Sequence, residues 1–253
     1  MPSQAKSAKG DICVFGDSHI GSVKRALDRG LIDTGGRQIT FWGADGPSFR
    51  ALRWKNGRIV PDPEARDIVA QVNGGSHDTI GPDDFDLFIF YGARLRVQEY
   101  FASILPDLRR PELGLSSAAM QAITDRWTVR TRAWRFARNF ARAGAQIVFV
   151  PTSFPTKGIL KPAVERKRYH VASTKAERAQ LWRVLENAAQ RRGFTLVPQP
   201  DDTVTKTTMT RSEFAAEGAQ ESGDMVHKSD EYAALMIKAA LQSARESRAS
   251  KAA

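Results

Sequence analysis

The stretch Ile12-Cys13-Val14-Phe15-Gly16-Asp17-Ser18-His19 joins four continuous apolar residues to a glycine, and then to polar residues suited to begin a helix. Such a run, rich in β-branched and aromatic side chains, suits a strand buried on both faces of a parallel sheet. Three further runs have the same character: Ile39 to Trp42, Leu87 to Tyr91 and Ile147 to Val150. A weaker fifth spans Phe194 to Val197. Helical spacing follows or separates them, at His19 to Asp28, Ser117 to Ala143, Thr174 to Arg191 and Ser229 to Arg245. Alternating strand and helix patterns predict an α/β fold, a three-layer αβα sandwich with right-handed crossovers. In such sheets ligands sit beyond the carboxyl ends of the strands, so chemistry is to be sought just after each run.

The chain has 253 residues, within reach of one larger α/β domain, and no internal repeat or linker divides it. A single domain over residues 11–245 is expected, with 1–10 and 246–253 as frayed tails. Residues 54–85, rich in Asp, Gly and Pro, read as a long irregular connection. A composition of 42% hydrophobic and 26% charged residues excludes collagen-like and wholly disordered classes. With Cys13 the only cysteine, neither an intramolecular disulfide nor a cysteine-based zinc site can form. Neither a signal peptide nor a long apolar span is visible, so the expected location is cytoplasmic.

The formal net charge is +10. Residues 94–142 carry a net +6 and residues 157–192 a net +7, which leaves −3 for the rest. Both basic segments begin just after a strand, so Arg94, Arg96, Lys157, Lys161, Arg166, Lys167 and Arg168 are candidates to rim the site and attract an anionic substrate. A solvated basic face explains the same pattern. Nucleic acid is disfavoured as a partner, since neither zinc-finger spacing nor an aromatic RNA-reading strand motif is present. Around residue 130, Val129, Ala133, Phe136 and Phe140 fall on one helical face and Trp127, Arg130, Trp134 and Arg138 on the other. That pattern would leave two Trp exposed beside Arg.

After the first run, Gly16 permits a tight turn that delivers Ser18 to the sheet edge near a helix N-terminus, a good place for a nucleophile. Asp and Ser there are also ordinary helix-capping residues. Near the other end, Gly223-Asp224-Met225-Val226-His227 precedes the last helix. An Asp three residues before a His can fold back to hold one imidazole nitrogen, leaving the other to take a proton from a hydroxyl. With Ser18 the two complete a nucleophile, base and orienting carboxylate. No His, Asp and Glu cluster has metal-ligand spacing, so neither a metal nor a cofactor is expected.

Gly16-Asp17-Ser18-His19 resembles the first block of the SGNH, or GDSL-type, hydrolase superfamily, and Asp224 to His227 resembles its last block, in matching positions along the chain. The resemblance implies a flavodoxin-like five-stranded parallel sheet and a catalytic triad. Ser18 would be nucleophile, His227 general base and then acid, and Asp224 its orienting carboxylate. It also implies an oxyanion hole made of the Ser18 N–H, a glycine N–H after the second strand and an Asn side chain after the third. Gly46 fits the glycine best and Gly43 second. At the third strand the family's Gly-x-Asn-Asp is replaced by Gly92-Ala93-Arg94-Leu95. Arg94 can replace the donor, hold an anionic part of the substrate, or mark a site without turnover. His19 would pack or line the pocket, with Arg96, Lys157 and Arg168 as candidate substrate contacts.

The expected activity is therefore a metal-independent serine ester hydrolase, of esterase or O-acetylesterase type, acting on a small-molecule or glycan ester. An acyltransferase using the same residues and a non-catalytic module that binds an anionic glycan or partner are the alternatives.

Overall fold

The computed structural model describes residues 10–110, 112, 114–168 and 171–252, with the backbone alone for 166–168, 251 and 252. In chain order the first half contains β1 (Ile12–Gly16), α1 (Ile20–Asp28), β2 (Ile39–Gly43), β3 (Leu52–Lys55), β4 (Arg58–Pro61), α2 (Arg66–Asn73) and β5 (Leu87–Arg96). The second half contains α3 (Val97–Leu108), α4 (Ser117–Thr128), α5 (Arg132–Arg142), β6 (Ile147–Thr152), α6 (Pro162–Arg168), α7 (Lys175–Gln190), β7 (Thr195–Leu196), α8 (Ala219–Ser222) and α9 (Asp230–Ala252).

The five apolar runs form one parallel sheet in the order β2-β1-β5-β6-β7. Counting only these strands the order is 2-1-3-4-5, that of doubly wound sheets whose crossovers change direction between the first and third strands. In sheets of that order a crevice opens at this point, here at the ends of β1 and β5.

Alternate residues of each strand serve different layers, because side chains along a strand point to opposite faces. Ile12, Val14, Leu87, Ile89, Val148 and Val150 pack with Val23 of α1 and Tyr232, Met236 and Ile237 of α9. Cys13, Phe15, Phe88, Phe90 and Phe149 face the other way, toward Tyr100 and Phe101 of α3, Phe136 and Phe140 of α5, and Leu181 and Leu185 of α7. Phe15 is central to this second layer. Its ring lies 4.6 Å from Phe90 and 5.6 Å from Phe49, separations at which tilted aromatic pairs attract. Burial on both faces is why these strands read as continuous apolar runs, and the three-layer sandwich is the arrangement observed.

Other elements differ from expectation. Residues 117–143 form two helices, because Thr128 to Thr131 turn between α4 and α5. Trp134 is buried against Phe149 and Phe194, and Val129 is the exposed residue, so the expected exposed tryptophan pair does not exist. The break rotates α5 relative to the pattern a continuous helix would have. Residues 54–85 are not irregular throughout. They contain most of the β3–β4 hairpin, which begins at Leu52, and α2. At the hairpin tip Asn56 and Gly57 take left-handed φ angles of 50° and 77°, as tight hairpin turns require. Residues 246–252 continue α9 rather than fraying, whereas 1–9 lie outside the described residues. No helix among the described residues is long and apolar enough to cross a membrane.

Candidate functional site

The end of β1 is shaped by close backbone approaches. A Cβ on Gly16 would lie 2.3 Å from the Tyr91 carbonyl oxygen and 2.7 Å from Ile20 Cγ2, and one on Gly43 would lie 1.9 Å from the Gly16 oxygen. Only glycine lets the three neighbouring strand ends draw together here. Beyond Gly16 the chain turns into α1, where the N–H groups of Ile20 and Gly21 donate to the Asp17 and Ser18 carbonyls at 3.0 and 3.2 Å. Asp17 is buried in that turn, and Ser18 is exposed at its outer edge.

The segment joining α8 to α9 supplies the facing residues. Asp224 Oδ1 accepts the N–H groups of Val226 (2.9 Å) and His227 (3.1 Å), which folds the turn back on itself. The other carboxylate oxygen, Oδ2, lies 2.6 Å from His227 Nδ1. His227 Nε2 lies 2.8 Å from Ser18 Oγ, across 209 residues of sequence. A carboxylate can only accept, so Nδ1 carries the proton and a neutral imidazole offers Nε2 as acceptor to the Ser18 hydroxyl. Burial pushes the Asp224 carboxyl up, but hydrogen bonds from the His227 ring and from the His227 and Val226 amides outweigh it, leaving its pKa below the ordinary value.

Beneath this turn Lys228 is buried, and its ammonium donates to the carbonyls of Met225 (3.1 Å) and Val226 (2.7 Å). The Met225 carbonyl also accepts the Thr156 N–H at 2.8 Å. Burial lowers the Lys228 pKa to about 7 against the opposing pull of Asp224. No spacing rule marks a lysine beside the histidine as an anchor, so the sequence offered no signal for it.

A second aspartate and histidine stand beside the first pair. His19 Nδ1 lies 2.6 Å from Asp17 Oδ1, and the His19 and His227 rings are 4.9 Å apart. His19 is buried against Gly92, where a Cβ would come within 2.9 Å of the His19 ring carbon Cγ. Its Nε2 is buried and has no hydrogen-bond partner among the described residues. His19 is thus a packed wall of the site, held in orientation by Asp17. Burial raises the Asp17 carboxyl, but the hydrogen bonds and charge of His19, with Arg94 nearby, bring it below the ordinary value.

At the end of β5 the backbone leaves its regular course. Gly92, Ala93 and Arg94 have φ angles of 66°, 44° and 59°, and the pairing with β6 shifts register between Gly92 and Arg96. For Ala93 and Arg94 a left-handed conformation costs roughly 1–2 kcal/mol each. The excursion carries Arg94 across the crevice, where Nη1 donates to the Gly46 carbonyl at 2.9 Å. Gly46 and Arg94 are therefore brought together by a bond to the glycine's oxygen. Burial, with Arg96 and Arg50 close by, lowers the Arg94 pKa against the pull of Asp17.

The remaining candidates separate. Arg96 is exposed and pairs with Glu99 at 3.6 Å. Lys157 is exposed in the loop after β6 and does not line the groove at Ser18. The side chains of Arg166, Lys167 and Arg168 lie outside the described residues. That groove, about 860 Å³, is lined by Ser18, Asp224 and His227 together with Arg25, Arg29 and Glu213.

No family model matches the sequence, and no curated protein matches it. Among the solved structures that match the chain are two. One, from Streptococcus pneumoniae, is provisionally described as a platelet activating factor. It shares 13% identity over 94% of this chain and 86% of its own, with a TM-score of 0.42. The other is the periplasmic domain of a lipopolysaccharide acetyltransferase from Salmonella ser. Paratyphi A, 12% identical over 93% of this chain and 83% of its own, with a TM-score of 0.43. Both similarities are low, and the chemistry open to the site follows from its own geometry.

Proposed function

We propose that the protein is a serine-dependent acyl-ester hydrolase of SGNH type, with Ser18 as nucleophile, His227 as general base and then acid, and Asp224 as the carboxylate that orients it. The observation that carries this is the unbroken series from Asp224 Oδ2 through His227 to Ser18 Oγ, with contacts of 2.6 and 2.8 Å. Both lie within the reach that proton transfer from a nucleophile needs.

In the reaction Ser18 Oγ bonds to the acyl carbon while its proton passes to His227 Nε2. The tetrahedral oxyanion then collapses, the bond to the alcohol oxygen breaks, and His227 returns the proton to that oxygen. A water deprotonated by His227 releases the acid and restores Ser18. An alcohol in place of that water makes the same series an acyltransferase. The N–H groups of Ser18 and Gly46 are the proposed oxyanion donors, together with the guanidinium of Arg94, which keeps further N–H donors beyond the one bound to Gly46. Each such donor is worth about 3 kcal/mol in rate.

The direct test is p-nitrophenyl acetate hydrolysis by the wild type beside Ser18→Ala, with fluorophosphonate labelling of both. Turnover and labelling present in the wild type and lost in Ser18→Ala are expected. Equal inertness of the two toward this and several larger acyl esters would refute a hydrolase and favour a binding role.

A further inference from the structure

Arg94, which does not line the Ser18 groove, lines a second cleft of about 270 Å³. Five arginines line it, Arg50, Arg94, Arg96, Arg130 and Arg132, against one carboxylate, Glu99, which pairs with Arg96 at 3.6 Å. They come from three separate parts of the chain: the turn after β2, the end of β5, and the start of α5. Among the described residues no carboxylate lies within 4.0 Å of Arg50, Arg94, Arg130 or Arg132. Glu99, Asp17 and Asp62 offset only part of this charge from farther off; gathering so many like charges opposes folding, and an anion in the cleft relieves that repulsion.

Two of the five are set in place. Arg94 is held by the Gly46 carbonyl and Arg132 by the Leu52 carbonyl, so their guanidinium planes are oriented before any ligand arrives. Strain is retained at Ala93 and Arg94 to aim the former. The first turn of α5 borders the same cleft with no acidic residue in it, which adds the positive end of a helix to the arginine charge. Arg50 and Arg130 are exposed.

We infer that this cleft is an oxyanion-binding subsite that takes a phosphate, sulfate or carboxylate group carried by the substrate of the Ser18 site. Planar guanidinium forks match such groups with paired hydrogen bonds. Arg94 links the two places: it lines the cleft, and it also bonds Gly46 and influences Asp17, the residue before Ser18. The substrate is then an acyl ester with an anionic group on its alcohol portion, a reading that rests on the hydrolase assignment above.

Calorimetric titration of the full chain with inorganic phosphate at low ionic strength, against matched chloride, reads the subsite directly in the wild type, in Ser18→Ala and in Arg50→Gln/Arg130→Gln. Saturable phosphate binding is expected in the first two, with a dissociation constant at least about tenfold weaker in the double variant. The second arm compares kcat/KM for 4-acetoxybenzenesulfonate and uncharged phenyl acetate. Their ratio should fall at least about fivefold in the double variant. Absence of phosphate binding, or binding unchanged in the double variant, overturns the subsite. Phosphate binding with an unchanged ratio overturns its role in substrate selection. Inertness of every ester beside intact phosphate binding instead removes the hydrolase reading and leaves an anion site.

Discussion

Replacing Asp224 with Asn separates the two tasks of this carboxylate. Its Oδ1 accepts the N–H groups of Val226 and His227, at 2.9 and 3.1 Å, and an amide oxygen in the same position keeps both bonds. The position of Oδ2, 2.6 Å from His227 Nδ1, becomes an NH₂ group that can only donate. His227 must then present Nδ1 as acceptor and carry its proton on Nε2, so the nitrogen facing Ser18 Oγ can no longer take a proton. In a serine protease the corresponding inversion lowers kcat about 10⁴-fold, which is about 5 kcal/mol in the barrier. The turn keeps its backbone bonds, so thermal unfolding should move by only a few degrees. Kinetics of p-nitrophenyl acetate hydrolysis and a thermal melt of the same preparations measure both quantities. An Asp224→Asn protein that hydrolyses within about tenfold of the wild type, beside an inactive Ser18→Ala, would show that Asp224 does not set the tautomer.

Three further outcomes follow from packing, backbone conformation and titration. Gly43→Ala places a Cβ 1.9 Å from the Gly16 carbonyl oxygen, a backbone atom that cannot swing away, so urea denaturation should show a loss of at least about 3 kcal/mol; a loss under about 1 kcal/mol would mean the strand ends are looser than described. Gly57→Ala meets no neighbour within 4 Å, yet Gly57 has φ 77°, so it should cost about 1–2 kcal/mol through the backbone alone, with activity retained. Lys228, whose pKa burial lowers from 10.5 to about 7, holds a proton in the unfolded chain that it lacks in the folded one between those values. Stability should therefore rise with pH across that window by up to about 1.4 kcal/mol per unit, and Lys228→Met should flatten the rise. Parallel curves for the two proteins would contradict that assignment.

The strands were legible because burial on both faces leaves a continuous apolar run, and Ile12 to Phe15 and Leu87 to Tyr91 carry that mark without reference to anything distant. The Asp224–His227 pair was legible for a similar reason: three residues of spacing are enough for the carboxylate to reach back. The β3–β4 hairpin was missed although Asn56-Gly57 is a strong local turn signal. The break between α4 and α5 was hidden because the apolar positions on either side continue at helical spacing. α3 begins immediately after β5, and its Val97, Tyr100, Phe101 and Ile104 show a helical face only once the strand end is known.

By itself, then, the sequence determined the α/β class, the turn at Gly16 to His19, and the local folding of Asp224 toward His227, since a strand buried on both faces shows it in its own apolar run and each turn closes between residues a few positions apart. Only the tertiary structure decided that Ser18 and His227 meet at 2.8 Å, that Arg94 reaches the Gly46 carbonyl, and that Arg50, Arg94, Arg96, Arg130 and Arg132 line one cleft. Those distances are set by strand order and by how helices lie on the sheet, and a spacing along the chain carries no record of either.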